Sequence, residues 1–170
     1  MAPAEAHLCF ECGLCCDGSL FADVMLQTAE LESIEQQVGY EYRDGNPFLQ
    51  QPCLAYRQGR CQVYENRPQG CRSYECQVLC DLKEGRIKRP EAGQQIHHLR
   101  AIIEIINRCL AILGETDLTL PLSHRIESAM GQAWDLNEPQ EKQEAREELQ
   151  QIVPEFESLA GERFRAVDIP

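Results

Sequence analysis

Apolar residues in the second half of the chain recur with a helical period. Ile96, Leu99, Ile103, Ile106, Leu110 and Leu113 follow intervals of three and four, and Ile102, Ile105 and Ile112 widen the stripe. A stripe this broad predicts a helix buried over most of its circumference, the core helix of the molecule. Beyond it, Leu122 to about Leu136 reads as a weaker helix. Pro139 to Gln151 reads as a strongly charged helix with proline in its first turn, and Pro154 as the start of a short further helix after a kink or break.

The first half lacks that period and is rich in turn signals, among them Asp17-Gly18, Asp44-Gly45 and Gln58-Gly59. It is expected to be loop-rich. Ser19 to Leu26 suits a short strand. Thr28 to Val38 suits a helix with Thr28 as N-cap, Leu31, Ile34 and Val38 on one face and Gly39 as its stop. Cys53 to Arg57 and Cys61 to Glu65, joined around Gln58-Gly59, read as a hairpin that Arg67-Pro68 ends. Gln69 to about Glu84 then reads as a helix closed by Gly85.

Composition narrows the class. A chain of 170 residues with 26% charged and 43% hydrophobic residues is an ordinary globular protein of one domain, or one domain with a helical appendage. Ile96 to Leu113, its longest apolar stretch, is broken by Arg100, Glu104, Asn107 and Arg108 and falls short of a membrane span, so no membrane association is expected. The N-terminus Met1-Ala-Pro-Ala-Glu-Ala-His lacks the basic start and apolar core of a secretory signal, which places the protein in the cytoplasm. Thiols are kept reduced there, so the ten cysteines are read as ligands or catalytic groups and not as disulfides.

A net charge of −12 argues against nucleic acid as a partner. Its distribution is uneven. Residues 1–42 contain no Lys or Arg, whereas Arg57, Arg60, Arg67, Arg72, Lys83, Arg86, Lys88 and Arg89 fall within one short segment. Those cations either form a solvated mixed surface or offset the acidic, thiolate-rich N-terminal segment.

The chemistry concentrates in two cysteine groups. Cys9-Phe-Glu-Cys12-Gly-Leu-Cys15-Cys16 is two overlapping C-x2-C units with a vicinal cysteine, and Gly13 permits the tight turn that turns backbone N–H groups toward sulfur. The second group, Cys53, Cys61, Cys71, Cys76 and Cys80, lies on the hairpin and the turn and helix that follow, positions able to converge on one end of the hairpin. Pro52 and Pro68 stiffen the approaches to Cys53 and Cys71.

These residues resemble the CxxCxxCC cysteine-cluster family, often called YkgJ-like, whose domain is a zinc- or iron-chelating one. Phe10-Glu-Cys12-Gly-Leu-Cys15-Cys16 is similar to the family's opening motif. Pro52-Cys53 and Cys61-Gln-Val-Tyr64 are similar to its middle, and Arg67-Pro-Gln-Gly-Cys71-Arg-Ser-Tyr-Glu-Cys76 to its close. The resemblance, over residues 9 to about 80, implies that Cys9, Cys12, Cys15, Cys16, Cys53, Cys61, Cys71 and Cys76 bind metal. Cys80 stands outside that pattern as a ninth candidate.

Neighbouring side chains diverge, so Cys15 and Cys16 should not serve one small tetrahedral ion. Eight matched thiols also make two sets of four, the number that saturates a structural zinc or a four-cysteine iron–sulfur cluster. Two centres, or one polynuclear centre, are expected. Iron–sulfur cluster and zinc both suit all-thiolate ligation, with iron–sulfur slightly favoured by the number of thiols. The expected architecture is mainly α with a small β-hairpin, a metal-organised region over residues 1–85 packed on a helical region over residues 86–170. Removing the metal is expected to unfold the N-terminal half.

Two other functions fit the same residues. A redox or protein-modifying enzyme would keep one metal position open to substrate, and a zinc-stabilised interaction module would dock a protein partner on the acidic helices beyond residue 115. No Ser-His-Asp set, phosphate-binding glycine loop or zinc-protease motif is present. Cys109, inside the apolar stripe, is read as a packed small hydrophobe. His98 lies roughly 16 Å from it along a helix. His97, His124 and His7 are read as surface residues, with His7 placed to be a spare ligand. Tyr56, Tyr64 and Tyr74 are read as packing over the cysteine region, and Arg67 and Arg72 as hydrogen-bonding near sulfur or forming surface ion pairs.

Overall fold

A computed structural model describes residues 4–133, 135 and 137–165, apart from the side chains of residues 4–7 and 35–37. The chain forms two compact units. One runs to Glu75 and takes in Thr119–Leu122, and the other comprises Cys76–Leu118 and the chain from Ser123 onward. It is mostly helical, with small antiparallel sheets in the N-terminal half and long helices packed together in the C-terminal half.

The first unit opens with helix α1 (Ala4–Cys12), where loop was expected. Strand β1 (Asp23–Met25) occupies the middle of the expected Ser19–Leu26 strand. Thr28 is not an N-cap: it begins a 3-10 turn, Thr28–Glu30, and the Glu30 carboxylate accepts from the Gln27 N–H at 3.0 Å. The turn runs into helix α2 (Leu31–Val38), which Gly39 stops with φ +65°. Leu31, Ile34 and Val38 share its buried face, as their spacing implies, and cluster with Leu26, Leu49, Cys53 and Ala55.

Leu49 comes from a sheet that sequence reading missed. Strands β2 (Glu41–Arg43) and β3 (Asn46–Gln50) form a hairpin through Asp44 and Gly45, at φ +50° and +80°, and β1 adds to the other side of β3. Successive positive φ values give a two-residue turn whose twist matches that of the strands it joins. Pro47 sits at the end of the β1 pairing: its carbonyl still accepts from the Leu26 N–H at 2.9 Å, and only the return bond, which proline cannot donate, is absent. The expected hairpin forms as β4 (Tyr56–Arg57) and β5 (Arg60–Cys61), shorter than read, around Gln58 and Gly59 at φ +53° and +72°. Helix α3 (Gln69–Ser73) ends the unit.

The helix expected from Gln69 to about Glu84 is therefore divided. Tyr74 and Cys76 adopt extended backbone, at ψ 126° and 161°, before helix α4 (Gln77–Lys83) begins. The Tyr74 ring packs edge-on against Phe21, with centroids 5.1 Å apart, which favours that extended conformation over a continuous helix.

In the second unit the broad stripe forms α5 (Arg89–Leu113), with Ile96, Leu99, Ile102, Ile103, Ile106, Leu110 and Leu113 buried and Gly114 closing it at φ +95°. Burying each such side chain stabilises the fold by about 1.5–3 kcal/mol. Helix α6 (Leu122–Gly131) stops earlier than expected, and Leu136, the expected end, lies outside the described residues. Helix α7 (Gln140–Leu159) packs along α5 and continues through Pro154 instead of breaking there. Proline removes one helical N–H, but Leu149 and Phe156 on either side are each only 1% exposed, and their burial holds the helix together. A π-turn, Ala160–Phe164, follows and packs against α4. Among the described residues no helix is long and apolar enough to cross a membrane.

Candidate metal centre

All ten cysteines are free of disulfides. Cys9 and Cys12 lie one helical turn apart on α1, on the same side. Gly13, at φ +62°, ends that helix: its N–H donates to the Cys9 carbonyl at 3.0 Å. Its own carbonyl accepts from the N–H groups of Cys16 at 2.8 Å and Asp17 at 3.1 Å. The overlapping C-x2-C units are thus one helical end and one tight turn, closed by backbone bonds within the motif.

The N-terminal cysteines meet the hairpin at several points. Cys53 donates its N–H to the Cys16 carbonyl at 2.9 Å, and its carbonyl accepts from Tyr56 at 2.8 Å. Tyr56 pairs with Cys61 across the hairpin. On the α1 side, Phe10 stacks on Tyr64 with ring centroids 4.1 Å apart, and the Arg67 guanidinium lies 3.7 Å from the centre of the same Tyr64 ring. Burial pushes the Tyr64 hydroxyl up; Arg67 opposes this and negative charge at Cys9 adds to it, so the Cys9 sulfur lies within electrostatic reach of that ring.

Cys71 is carried by α3, which is seated on β1. Gly70 leaves no room for a side chain, since a Cβ there would lie 2.8 Å from Val24 Cγ1 and 3.2 Å from the Met25 carbonyl. The N–H of Gln69 donates to the Glu30 carboxylate at 2.5 Å at the head of the same helix.

Electrostatics show which of the candidate sulfurs the fold brings together. Burial pushes the Cys16 thiol far above its ordinary range, and charges at Cys61, Cys53, Cys71 and Asp17 push it further. Burial pushes Cys71 up to about 11, with Cys53 and Cys61 adding to the shift and Arg67 opposing it. Burial raises Cys53 as well, against the backbone N–H groups of Ala55 and Tyr56, while Cys61 adds to the rise. Cys16, Cys53, Cys61 and Cys71 are therefore mutual neighbours, drawn from the N-terminal motif, both sides of the hairpin and α3. Among the described residues no three His, Cys, Asp or Glu side chains form a finished metal-binding group, so the four sulfurs define a neighbourhood and not a set of ligand bonds.

The other candidates are carried by α1, its closing turn and α4. Cys9, Cys12 and Cys15 are in the first unit, on α1 and its closing turn. Cys76 and Cys80 are in the second, at the start of α4, where the Cys80 N–H donates to the Cys76 carbonyl at 3.0 Å. Cys109 is fully buried on α5 with its thiol directed to Glu148 Oε2 at 3.3 Å. His97, His98 and His124 are exposed, His98 lying 3.7 Å from Glu155, and the His7 side chain falls outside the described ones. Arg72 turns to Gln69 at 3.1 Å and Glu30 at 3.9 Å, a surface arrangement, while Arg67 bonds the Tyr64 carbonyl at 2.9 Å.

Two features, one in each unit, escaped sequence reading. One is the contact of Tyr56 with Gly13: a Cβ on Gly13 would fall inside the Tyr56 hydroxyl and 2.6 Å from its Cζ. The other is Asp81, beside Cys80, which is 6% exposed and accepts from Gln77 at 2.7 Å, Arg86 at 2.6 Å and Arg163 at 2.6 Å. Only an Asp amid a cation-rich segment hinted at the second, and its partner Arg163 is remote in sequence.

The family model CxxCxxCC, described as "Putative zinc- or iron-chelating domain", matches residues 8–94. No curated protein and no solved structure matches the chain.

Proposed function

Because the chain belongs to the CxxCxxCC family of zinc- or iron-chelating cysteine-cluster domains, we propose that it binds more than one metal ion through thiolates. One centre draws on Cys16, Cys53, Cys61 and Cys71. The observation that carries this reading is the mutual electrostatic influence of those four thiols, which come from three separate parts of the chain. Ionising them together without a cation is costly, since each charge raises the next. A metal reverses that sign and makes their proximity favourable.

Four cysteine sulfurs and no harder donor suit a structural zinc ion or an iron–sulfur cluster. When bound, a cluster would supply electron transfer and a zinc ion a fixed cross-link. The surrounding residues contribute in either case: the N–H groups of Ala55 and Tyr56 favour the ionised Cys53 sulfur, and Arg67 offsets charge at Cys71. Cys9, Cys12 and Cys15 form a second group of candidate donors, and Cys76 with Cys80 a third. The surplus over four thiols supports the multinuclear reading and favours iron–sulfur over zinc.

Anaerobic purification with iron, sulfide and zinc analysis and a parallel count of titratable thiols tests this. More than one metal per chain is expected, and Ser at Cys16, Cys53, Cys61 or Cys71 should each remove the same equivalent. One metal per chain with four or more titratable thiols in the folded protein overturns it. A brown protein identifies iron–sulfur and a colourless, zinc-containing one zinc.

A further inference from the structure

Gly13 stands at the centre of the Cys12-Gly13-Leu14-Cys15 turn with φ +62°, a conformation that favours glycine. Conformation is not its sole constraint. The Tyr56 side chain fills the space where a Cβ would be: the hydroxyl is the nearest atom, with Cζ at 2.6 Å and Cε2 at 3.1 Å from that position. Tyr56 is half-buried and firmly held at its backbone, where its N–H donates to the Cys53 carbonyl and its Cα partner is Cys61. On the other side of the contact, Gly13 is bonded through its backbone to Cys9 and Cys16.

We propose that Tyr56 is a positioning residue for the metal centre, its hydroxyl bracing the Gly13 turn so that the N-terminal cysteines keep register with Cys53 and Cys61. The inference rests on the metal-binding reading above and adds a residue to it that carries no sulfur. The Cys53-to-Cys16 backbone bond ties one end of the turn to the hairpin. The Phe10–Tyr64 stack steadies the helical end. Tyr56 meets the turn between them, where a shift of the backbone would carry Cys12 and Cys15 with it. Donor atoms must be held closely for tight binding, and residues that orient ligands are worth about ten- to a hundredfold in metal affinity.

The test uses the full-length chain, reduced and chelated, then titrated with Zn(II) against a chromophoric chelator and with Co(II), whose charge-transfer and ligand-field bands report thiolate geometry. Tyr56→Phe removes only the hydroxyl. It should weaken Zn(II) binding by about tenfold or more and shift the Co(II) bands, while the thermal midpoint of the metal-free protein stays at the wild-type value. A purely structural role for the ring would leave the Co(II) spectrum unchanged. Gly13→Ala approaches the same contact from the other side, and it should cost less affinity in a Tyr56→Leu background than in wild type, because the displaced group is gone. Wild-type affinity and spectrum in Tyr56→Phe, or additive losses in the double variant, overturn the proposal. If the wild-type chain itself binds neither Zn(II) nor Co(II), the metal-binding reading fails instead.

Discussion

The backbone N–H of Cys53 donates to the carbonyl of Cys16 at 2.9 Å, joining the last cysteine of the N-terminal motif to the first of the hairpin. This bond commits Cys16 to the hairpin group before any side-chain contact is considered. It also places two thiols whose ionisation is mutually unfavourable in one buried neighbourhood, and the chemistry of loading follows from that.

Burial pushes Cys16, Cys53 and Cys71 up, and charge on the neighbouring cysteines pushes the same way, with Cys71 reaching about 11. At neutral pH these thiols hold their protons, which a metal must displace. Zn(II) uptake by the chelated protein should release protons to an indicator dye, and affinity should fall on acidification by about tenfold per pH unit for each proton released. The metal-free protein should show the opposite edge. A thiol raised in the folded state stabilises the fold fully below its ordinary value of 9.0 and loses that contribution as pH rises through about 11. Denaturation midpoints of the chelated protein should therefore decline above about pH 9 while those of the loaded protein hold; proton-neutral uptake and a flat alkaline profile would contradict the assignment.

Helix periodicity made the second unit legible. The stripe from Ile96 to Leu113 names its own buried face, because one helix that broad can be satisfied only in a core. Pro154 misled, since a local breaker was read without the packing of Leu149 and Phe156 that overrides it. In the first unit the turn at Asp44-Gly45 was visible, but the flanking segments Glu41–Arg43 and Asn46–Gln50 are too short and too polar to announce strands. The candidate cysteines were all legible from spacing. Their grouping was not, because Cys16 and Cys71 meet through tertiary contacts that no local spacing encodes.

Asp81 should be a stability residue of the second unit. Burial alone would raise its carboxyl, but hydrogen bonds from Gln77, Arg86 and Arg163 outweigh it and hold the group at about 2. A carboxylate lowered in this way stabilises the fold above its unfolded value of about 3.9, and the contribution disappears as pH falls through about 2. Asp81→Asn should cost about 1–2 kcal/mol at neutral pH, a modest figure because Arg86 and Arg163 are partly exposed and can rehydrate. Urea denaturation should show the gap between variant and wild type closing near pH 2; a gap that is constant with pH would assign the cost to shape and not to charge.

Cys109 should be dispensable for metal. It is buried on α5, its thiol donates to Glu148 Oε2, and burial together with that bond pushes it to about 11. Glu148 keeps its 2.6 Å bond from Arg108 when the thiol is removed. Cys109→Ala should leave metal content unchanged and cost about 1 kcal/mol of packing. Loss of a metal equivalent from this variant would make Cys109 a ligand after all.

Chelation should loosen the first unit selectively instead of unfolding it throughout. The expectation of complete unfolding treated this half as loops without a core, yet Leu26, Leu31, Ile34, Val38, Leu49 and Ala55 form one, built on α2 and β3. That cluster needs no cation. The turn from Gly13 to Asp17 and the hairpin from Cys53 to Cys61 differ, because they bring together buried thiols that repel on ionisation, and their alignment gains most from a metal. Hydrogen exchange on the full-length chain, loaded and chelated under reducing conditions, separates the two behaviours. Protection at four amides of the cysteine-bearing segments, Cys16 bonded to Gly13, Cys53 to Cys16, Gln62 to Ala55 and Arg72 to Pro68, should fall by about tenfold or more on chelation, while the β1–β3 ladder keeps most of its own. Unchanged protection at all four amides would show that metal and fold are uncoupled here, and equal loss across the ladder would show that the α2–β3 core cannot stand without metal.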